Sequence, residues 1–322
     1  MDLYPLKLSR FLSPRLWGGG ELASFLGVAW DGPEPLGESW QVYAGNRVLN
    51  GPLAGVTLAE VAERLGEALV GTVARARYGV SFPLLAKFID AGDRLSIQVH
   101  PDDAYAHARE AESGFHGKEE AWLILRAEPG AQIIWGFSEP LTPGQIRRAA
   151  LTGRLEHYLN HVPVAPGDVV YNPAGTLHAI GAGILLFEIQ QSSDLTYRLY
   201  DYDRRDAQGK PRELHLDKAL DVLDYSPGER AKVAPRTLAG GRTLLVETGH
   251  FAMERWPVAS SLEETTRPKS VELLTLIDGA VTLAAGETSL ALEQGESCVL
   301  PAGLGAYRLE GEGTLLRCYL PG

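Results

Sequence analysis

The sequence predicts a mainly β protein made of two related barrel-like β domains, with a few helices packed on the first domain. Three observations support this fold class. Short apolar runs broken by Gly, Pro and Asp are typical of the strands of a sandwich or barrel. Helix start signals are few and well marked, and one punctuated segment occurs twice in the chain.

The few helices are predicted from their start signals. A capping box that begins at Thr57 starts a helix, which we expect to reach about Leu69. A second box, at Thr142 and with proline next to it, starts a helix expected to include residues 146–159. A third helix is expected in DDAYAHAREAE (102–112), directly after a His-Pro pair.

The rest of the chain consists of short β-rich runs separated by turn residues, which is typical of strands. The runs are SWQVYAG (39–45), RLSIQVH (94–100), AWLILRA (121–127), AQIIWGF (131–137), DVVYNP (168–173), ILLFEIQ (184–190), VELLTLI (271–277), SCVLPAG (297–303) and TLLRCYL (314–320).

An internal repeat indicates two related β domains. The segment GDVVYNPAGTLH (167–178) recurs as GESCVLPAGLGA (295–306), with the first glycine and the Pro-Ala-Gly turn at the same spacing. By this alignment Ala306 replaces His178, so the second copy keeps the turn chemistry without the histidine. Between the copies we expect a polar loop, a short helix and a linker. We therefore predict domains at 1–230 and 231–322.

Composition limits the possible partners. The chain has 322 residues, 45% of them apolar, which is enough for two domains with buried cores. A net charge of -11 argues against nucleic acid or an anionic membrane surface as a general partner. Cys298 and Cys318 lie in no metal or disulfide motif, the first residues lack the continuous apolar stretch that is typical of a secretion leader, and no apolar run is long enough to span a membrane. We therefore expect a cytoplasmic protein.

Residues 94–100 alternate, which places Ser96, Gln98 and His100 on one face of a strand. Taken alone, such a pattern is more often the solvent-facing side of an edge strand. The segment gains weight because other residues that can bind a metal lie at the ends of neighbouring apolar runs.

Glu120 begins a strongly apolar run and shares a face with Trp122 and Ile124. A carboxylate that enters a barrel interior needs a cation or strong hydrogen bonds. Glu119 is the competing candidate, and either residue could instead lie on the surface at the start of the strand.

His178 follows the Pro-Ala-Gly turn and completes a possible metal site. The predicted ligands are Gln98, His100, Glu120 and His178. Two imidazoles, a carboxylate and an amide suit Zn²⁺, while Mn²⁺, Fe²⁺ and Co²⁺ are also compatible. We expect one zinc ion per chain.

The two glycine-started segments resemble the two motifs of the cupin superfamily, in which Gln98 stands at the usual position of the first histidine. The resemblance to one family is closer. The strings FPLLAKFIDAGDRLSIQVHPDD, GKEEAW, PAGTLHAIG and EIQQSSDLTYRLYDYDR, in this order, resemble the short bacterial form of type I mannose-6-phosphate isomerase. The match covers most of the first 225 residues, and the last ninety match only as a degenerate cupin.

This resemblance implies two cupin-like jelly-roll barrels, a sugar phosphate substrate, and interconversion of mannose 6-phosphate and fructose 6-phosphate. It also implies roles for individual residues. The four predicted ligands become zinc ligands, Arg198 becomes the catalytic arginine, and the substrate and phosphate contacts become Lys87, Ser96 and Lys118. Related sequences often have Trp-Glu where this chain has Trp40-Gln41, which weakens any role for that position.

Aldose–ketose isomerisation moves a proton between C2 and C1 through an enediolate, so the site must stabilise an oxyanion and supply a base. The metal and Arg198 answer the first need. For the base, Glu188, Lys87 and a metal-bound water all remain open, since burial raises a glutamate pKa and lowers a lysine pKa. Alternatively, Lys87 keeps its ammonium in water, and Glu188 forms a buried ion pair with Arg198 or Lys87.

The phosphate needs concentrated donors in an acidic protein, and we expect Lys118 and Arg198 to supply them at the barrel mouth. Arg204 and Arg205 have acidic neighbours and are interpreted as surface residues. The other histidines lack paired spacing and receive no metal role; they are His107, His116, His157, His161, His215 and His250.

Other functions are compatible with parts of the pattern. A non-catalytic cupin could sense a sugar or metal, and two histidines with one carboxylate could serve a non-haem iron oxygenase. A fused nucleotidyltransferase is excluded, because no Gly-rich nucleotide-binding segment precedes a helix near the N-terminus. We expect a monomer or a weak homodimer.

Overall fold

The computed structural model describes residues 2–205, 208–228 and 230–322, and these residues are mainly β, which confirms the predicted fold class. In chain order the strands are β1 (Leu6–Lys7), β2 (Phe11–Pro14), β3 (Leu36–Val42), β4 (Leu84–Ala91), β5 (Ile97–Val99), β6 (Glu120–Ala127), β7 (Gln132–Phe137), β8 (Leu159–Pro163), β9 (Val169–Asn172), β10 (His178–Ile180), β11 (Ile184–Gln191), β12 (Tyr197–Tyr200), β13 (Lys232–Val233), β14 (Arg236–Thr237), β15 (Thr243–Glu247), β16 (Ala252–Val258), β17 (Ser261–Thr265), β18 (Glu272–Ala285), β19 (Thr288–Glu293), β20 (Ser297–Leu300) and β21 (Ala306–Tyr319).

The helices are short. They are α1 (Leu22–Phe25), α2 (Leu58–Leu65), α3 (Glu67–Val70), α4 (Thr72–Tyr78), α5 (Asp103–Arg109), α6 (Pro143–Leu151) and α7 (Leu216–Val222). Within the described residues, no helix has the length and apolar character needed to cross a membrane.

Two sheets enclose the interior of the first domain. One has seven strands in the order β13-β9-β6-β11-β4-β3-β2, and the other has five in the order β12-β5-β10-β7-β8. Apolar side chains of both sheets meet in one cluster, exemplified by Trp122 and Leu186 from the first sheet and Ile133 and Ile180 from the second. The outer face of the five-stranded sheet is covered by α6 and α7.

The second domain is a nine-stranded sheet whose main order is β1-β20-β18-β21-β16-β15-β14, with β17 added to β21 and β19 to β18. This order matches the seven-stranded sheet position by position, with β20, β18 and β21 in the places of β9, β6 and β11. The outer faces of these two sheets share a large apolar cluster, to which Phe187 and Leu316 belong.

The structure corrects the predicted alignment of the repeat at its last residue. His178 is buried and pairs with Gln98 on β5. In the second copy Ala306 is exposed, whereas Tyr307 is buried and pairs with Glu264 on β17. The loop after the second Pro-Ala-Gly turn is one residue longer, so Tyr307 and not Ala306 takes the position of His178.

The chain passes from the seven-stranded sheet to the nine-stranded sheet between β13 and β14. The N-terminal strand β1 pairs with β20 and therefore belongs to the second sheet, although it lies within the predicted range 1–230. The boundary near residue 230 stays a prediction. Asp206, Ala207 and Glu229 of the predicted loop and linker lie outside the described residues.

Two predicted helices end earlier than expected, in each case near a glycine with positive φ. The helix that starts at Thr57 ends at Leu65, because Gly66 has φ 51°. The helix that starts at Thr142 ends at Leu151, and Gly153 has φ 67°. Both predicted capping boxes are confirmed, because side chain and backbone bond reciprocally at each start.

Gly71 is a point of close approach between the helical segment and the second domain. A Cβ on this residue would lie 2.4 Å from the backbone nitrogen of Ser270, and φ is +88°. Gly66 also has positive φ, but a Cβ there would meet open space. Gly71→Ala is therefore expected to lower the free energy of unfolding by about 2–4 kcal/mol, from backbone strain and overpacking.

Gly66→Ala, which carries the strain alone, is expected to cost about 1–2 kcal/mol. Urea unfolding of both variants measures the difference. Equal losses in the two variants would contradict a tight contact between the segment at Gly71 and the second domain.

Candidate metal centre and substrate cavity

Three of the predicted metal ligands meet inside the first domain. His100 directly follows β5, Glu120 opens β6, and His178 opens β10, so both facing sheets contribute. Their ligand atoms all lie within 4.8 Å of one another, and each side chain is at most 2% exposed. Nε2 of His100 lies 3.3 Å from one carboxylate oxygen of Glu120, and Nε2 of His178 lies 3.2 Å from the other.

The hydrogen bonds of the two imidazoles fix which nitrogen faces the centre. Nδ1 of His100 lies 2.8 Å from the carbonyl oxygen of Leu195, and Nδ1 of His178 lies 2.9 Å from that of Thr176. Each Nδ1 must donate to its carbonyl, so each Nε2 presents a lone pair toward Glu120. Acceptors that converge in a buried space require a cation, and the cluster could therefore hold a metal ion.

Two atoms of this centre have no hydrogen-bond partner among the described residues, namely Oε1 of Glu120 and Nε2 of His178. Burial, together with the nearby ammonium of Lys118, lowers the pKa of His100 to about 3. The imidazole is consequently neutral at physiological pH, which is the form that coordinates metals. The donor set thus fits a divalent cation.

Lys118 lies at the floor of the site and not at the mouth, which corrects the prediction. Its side chain is 4% exposed, and its ammonium bonds to a carboxylate oxygen of Glu120 and lies 3.0 Å from Nε2 of His100. Burial would raise the pKa of Glu120, but Lys118 and the two imidazoles lower it well below its usual value. Glu120 is therefore ionised.

Gln98, the fourth predicted ligand, pairs with His178 across β5 and β10 and lines the adjoining cavity. Ser96 lines the same cavity, as expected from the alternation of the strand. The assignment of the Gln98 amide as a ligand remains a prediction.

A cavity of about 580 Å³ adjoins the centre. Its charged lining residues are Arg15, Glu34, Glu38, Lys87, Lys118, Glu188, Asp194, Arg198 and Arg212. Because the lining contains basic as well as acidic side chains, an anionic ligand can find cations here in a protein that is negative overall.

Lys87 and Glu188 face each other on β4 and β11, with 3.0 Å between the ammonium and Oε1 of the carboxylate. Trp122 donates its indole N–H to the other carboxylate oxygen at 2.9 Å. The ion-pair partner of Glu188 is therefore Lys87 and not Arg198, while the role of Glu188 as the base stays a prediction.

The expectation that burial brings the Lys87 pKa toward neutrality is wrong. Burial does oppose the charge, but the carboxylates of Glu188 and Glu38 outweigh it, and the pKa of Lys87 is raised above its usual value. Burial and the charge of Glu120 raise the pKa of Glu188, which Lys87 offsets only in part. The carboxylate is thus the member of the pair whose pKa moves toward neutrality.

Arg198 on β12 donates from Nε to the Ser96 hydroxyl at 3.1 Å and from Nη1 to the Glu213 carbonyl at 3.0 Å. Burial and the charge of Arg212 lower its pKa to about 10, so it stays cationic at neutral pH. Within the described residues no carboxylate lies within ion-pair distance of Arg198. Its charge is therefore available to a ligand.

Comparison with known proteins agrees with the site. Residues 6–121 match the family model described as "Phosphomannose isomerase type I, catalytic domain". Residues 242–320 match the family model described as "Mannose-6-phosphate isomerase, cupin domain". The mannose-6-phosphate isomerase ManA of Bacillus subtilis is 38% identical over 318 residues, which is 97% of each chain. The chain belongs to the type I phosphomannose isomerase family.

Other members of the phosphomannose isomerase family extend the comparison. The mannose-6-phosphate isomerase of Streptococcus mutans is 36% identical over 96% of each chain. A crystal structure of the B. subtilis mannose 6-phosphate isomerase has a TM-score of 0.85 at 33% identity, covering 98% of this chain and 99% of the other. A Salmonella typhimurium phosphomannose isomerase, at 19% identity, shares the fold with a TM-score of 0.82 over 99% and 100% of the chains. The family favours an enzyme over a sensing cupin.

Sequence reasoning missed several cavity residues of this phosphomannose isomerase family member. Glu38 accepts from Arg15 at 2.6 Å and lies 3.8 Å from the Lys87 ammonium, while Arg212 lies 3.6 Å from Asp201. These residues come from an N-terminal strand region and a polar loop, where no spacing signal marks a site.

Other predictions concern residues around the site. Arg205 is exposed as expected, but Arg204 is half-buried and lies 3.7 Å from Asp201.

Gln41 faces away from the cavity, where Ser297 of the second domain donates to it at 3.2 Å. His107 and His116 are paired at 2.8 Å, outside the centre. The absence of a metal role for the remaining histidines stays a prediction.

Proposed function

We propose that the chain is an aldose–ketose isomerase that interconverts mannose 6-phosphate and fructose 6-phosphate and uses one zinc ion. The observation that carries this proposal is the meeting of His100, Glu120 and His178 beside a cavity with the pair Lys87–Glu188. Family membership supports the same reaction, since the curated relatives bear this name.

Two imidazoles and one carboxylate suit zinc, and Gln98 is the proposed fourth ligand. A divalent ion bound here supplies a Lewis acid for the sugar oxygens. Lys118, which also lines the cavity, forms an ion pair with Glu120 and thereby keeps the carboxylate ionised.

Glu188 is the proposed base that moves the proton between C2 and C1. It must be ionised to accept a proton, and its raised pKa makes it a stronger base toward the C–H proton than an ordinary glutamate. Lys87 remains protonated beside it, so we assign the ammonium to hydrogen bonding of the carboxylate and of the developing oxyanion.

Arg198 is proposed to hold negative charge on the substrate, with Ser96 fixing the orientation of its guanidinium. For the phosphate we propose Arg198 together with Arg212, which lines the cavity and whose side chain is about one-third exposed. A guanidinium can bind a phosphate through two parallel N–H bonds. Lys118 is a poorer candidate for phosphate binding than expected, because it is buried and its charge is already paired with Glu120.

Removal of the metal is expected to abolish isomerisation of mannose 6-phosphate in a coupled assay, and zinc is expected to restore it. The reason is that the enediolate oxygens lose their electrophile. Mannose without phosphate serves as the control substrate and should turn over far more slowly. Full turnover by metal-stripped protein would contradict the metal role, and a preference for unphosphorylated sugar would contradict the phosphate assignment.

We further propose a cytoplasmic enzyme that acts as a monomer or weak homodimer. The two free, buried cysteines are compatible with a reducing compartment. The net charge of -11 disfavours nucleic acid as a further partner. Size-exclusion chromatography over a range of concentrations tests the oligomeric state.

A further inference from the structure

The second domain keeps a buried carboxylate at the position of Glu120. Glu120 opens β6 and pairs with Asn172, the residue before the repeated Pro-Ala-Gly turn. Glu272 opens β18 and pairs with Leu300, which precedes the same turn in the second copy. Because the sheet orders also match, Glu272 is the counterpart of Glu120, and its side chain is fully buried.

The pair Lys87–Glu188 also has a counterpart, with the charges exchanged. Glu188 on β11 faces Lys87 on β4, and Arg317 on β21 faces Glu254 on β16. The strand register agrees with this correspondence. Glu188 lies opposite Trp122, two residues after Glu120. Arg317 lies opposite Leu274, two residues after Glu272.

Arg317 holds Glu272 in a two-point contact. Its Nε donates to Oε2 at 2.7 Å and its Nη2 donates to Oε1 at 2.5 Å, and the arginine is 2% exposed. Nη1 reaches Oε2 of Glu254 at 3.4 Å. A planar guanidinium suits this geometry, and the two carboxylates keep it charged despite burial.

Neutral donors complete the network. Tyr307, at the position of His178, donates to Glu272 at 3.4 Å, while Tyr319 and Trp256 each donate to Glu254 at 2.7 Å. Among the described residues, no carboxylate oxygen of Glu272 or Glu254 is buried without a partner. The first domain differs here, since it leaves acceptor atoms without partners at its metal centre.

We propose that Arg317 is a built-in cation that takes the place of a metal ion in the second domain, and that removing its charge exposes a latent divalent-cation site at Glu272 and Glu254. Two buried carboxylates need a positive charge between them, and the guanidinium supplies it permanently. The fold of the second domain thereby needs no metal ion, and its nine-stranded sheet can pack on the catalytic domain whether or not metal is available. Carboxylate and phenol oxygens suit a hard cation such as Mn²⁺.

Arg317→Met is the direct test, made in protein whose catalytic centre is loaded with zinc. This variant is expected to retain one equivalent of Mn²⁺ more than the native chain after gel filtration, counted by electron paramagnetic resonance. Its melting temperature is expected to rise by several degrees with added Mn²⁺, because the ion binds only the folded state. The native chain should show neither effect.

The control Glu272→Gln/Arg317→Met removes both charges of the two-point contact and is expected to bind no additional Mn²⁺. If Arg317→Met does not fold, Glu254→Gln/Arg317→Met removes one charge of each sign and still leaves the Glu272 carboxylate. That variant is expected to bind Mn²⁺ more weakly but above the control. Binding no greater than in the control, by every folded variant that retains Glu272, would overturn the proposal.

Discussion

His178→Ala is expected to lose both the bound metal and about 10³-fold or more in kcat/KM. The imidazole is one of three side chains that converge on the centre, and its Nε2 lone pair has no other partner in the described chain. Loss of a Lewis acid that contributes several kcal/mol to transition-state stabilisation corresponds to a rate loss of this size. Metal content and the coupled assay measure the two effects separately.

His161→Ala is the matched control for this substitution. His161 is an exposed histidine on β8, in the same five-stranded sheet but outside the cluster. Metal content and activity should both stay at the native level. A His178→Ala protein that is folded, retains stoichiometric metal and isomerises the substrate normally would remove this residue from the centre.

The sequence was informative where strand alternation and burial act together. Ser96, Gln98 and His100 could be placed on one face because a strand has a period of two, and Glu120 stood out as a carboxylate at the start of an apolar run. Such local rules identify which side chains point inward. They also identified Lys87 and Glu188 as possible partners, since both lie in apolar strands.

Features that depend on strand pairing could not be predicted in this way. Arg212 reaches the cavity from a polar loop, and no spacing in the sequence relates it to Arg198. Tyr307, and not Ala306, takes the position of His178 because the preceding loop has one additional residue. A shift of one residue reverses the face of the strand on which a side chain lies. The raised pKa of Lys87 likewise depends on carboxylates from other strands.

Glu188→Gln is expected to lower kcat by about 10²–10⁴-fold with little change in KM or metal content, because the amide keeps the shape of the side chain but cannot accept the proton. In the native enzyme, kcat should fall as the pH drops through the pKa of Glu188, since protonation removes the base. This acid limb should lie above 4.5, the ordinary glutamate value, because burial raises the pKa. Glu119→Gln is the control, since Glu119 accepts from Tyr171 outside the cavity.

Exchange of the C2 hydrogen with solvent in D₂O distinguishes loss of the base from loss of another step. Glu188→Gln should lose this exchange together with kcat, whereas a variant impaired only in phosphate binding should retain it at saturating substrate. Lys87→Met provides a second comparison, because loss of the ammonium raises the Glu188 pKa further and should move the acid limb to higher pH. Native exchange rates in Glu188→Gln would place the base on another group and leave Glu188 as the partner that holds Lys87.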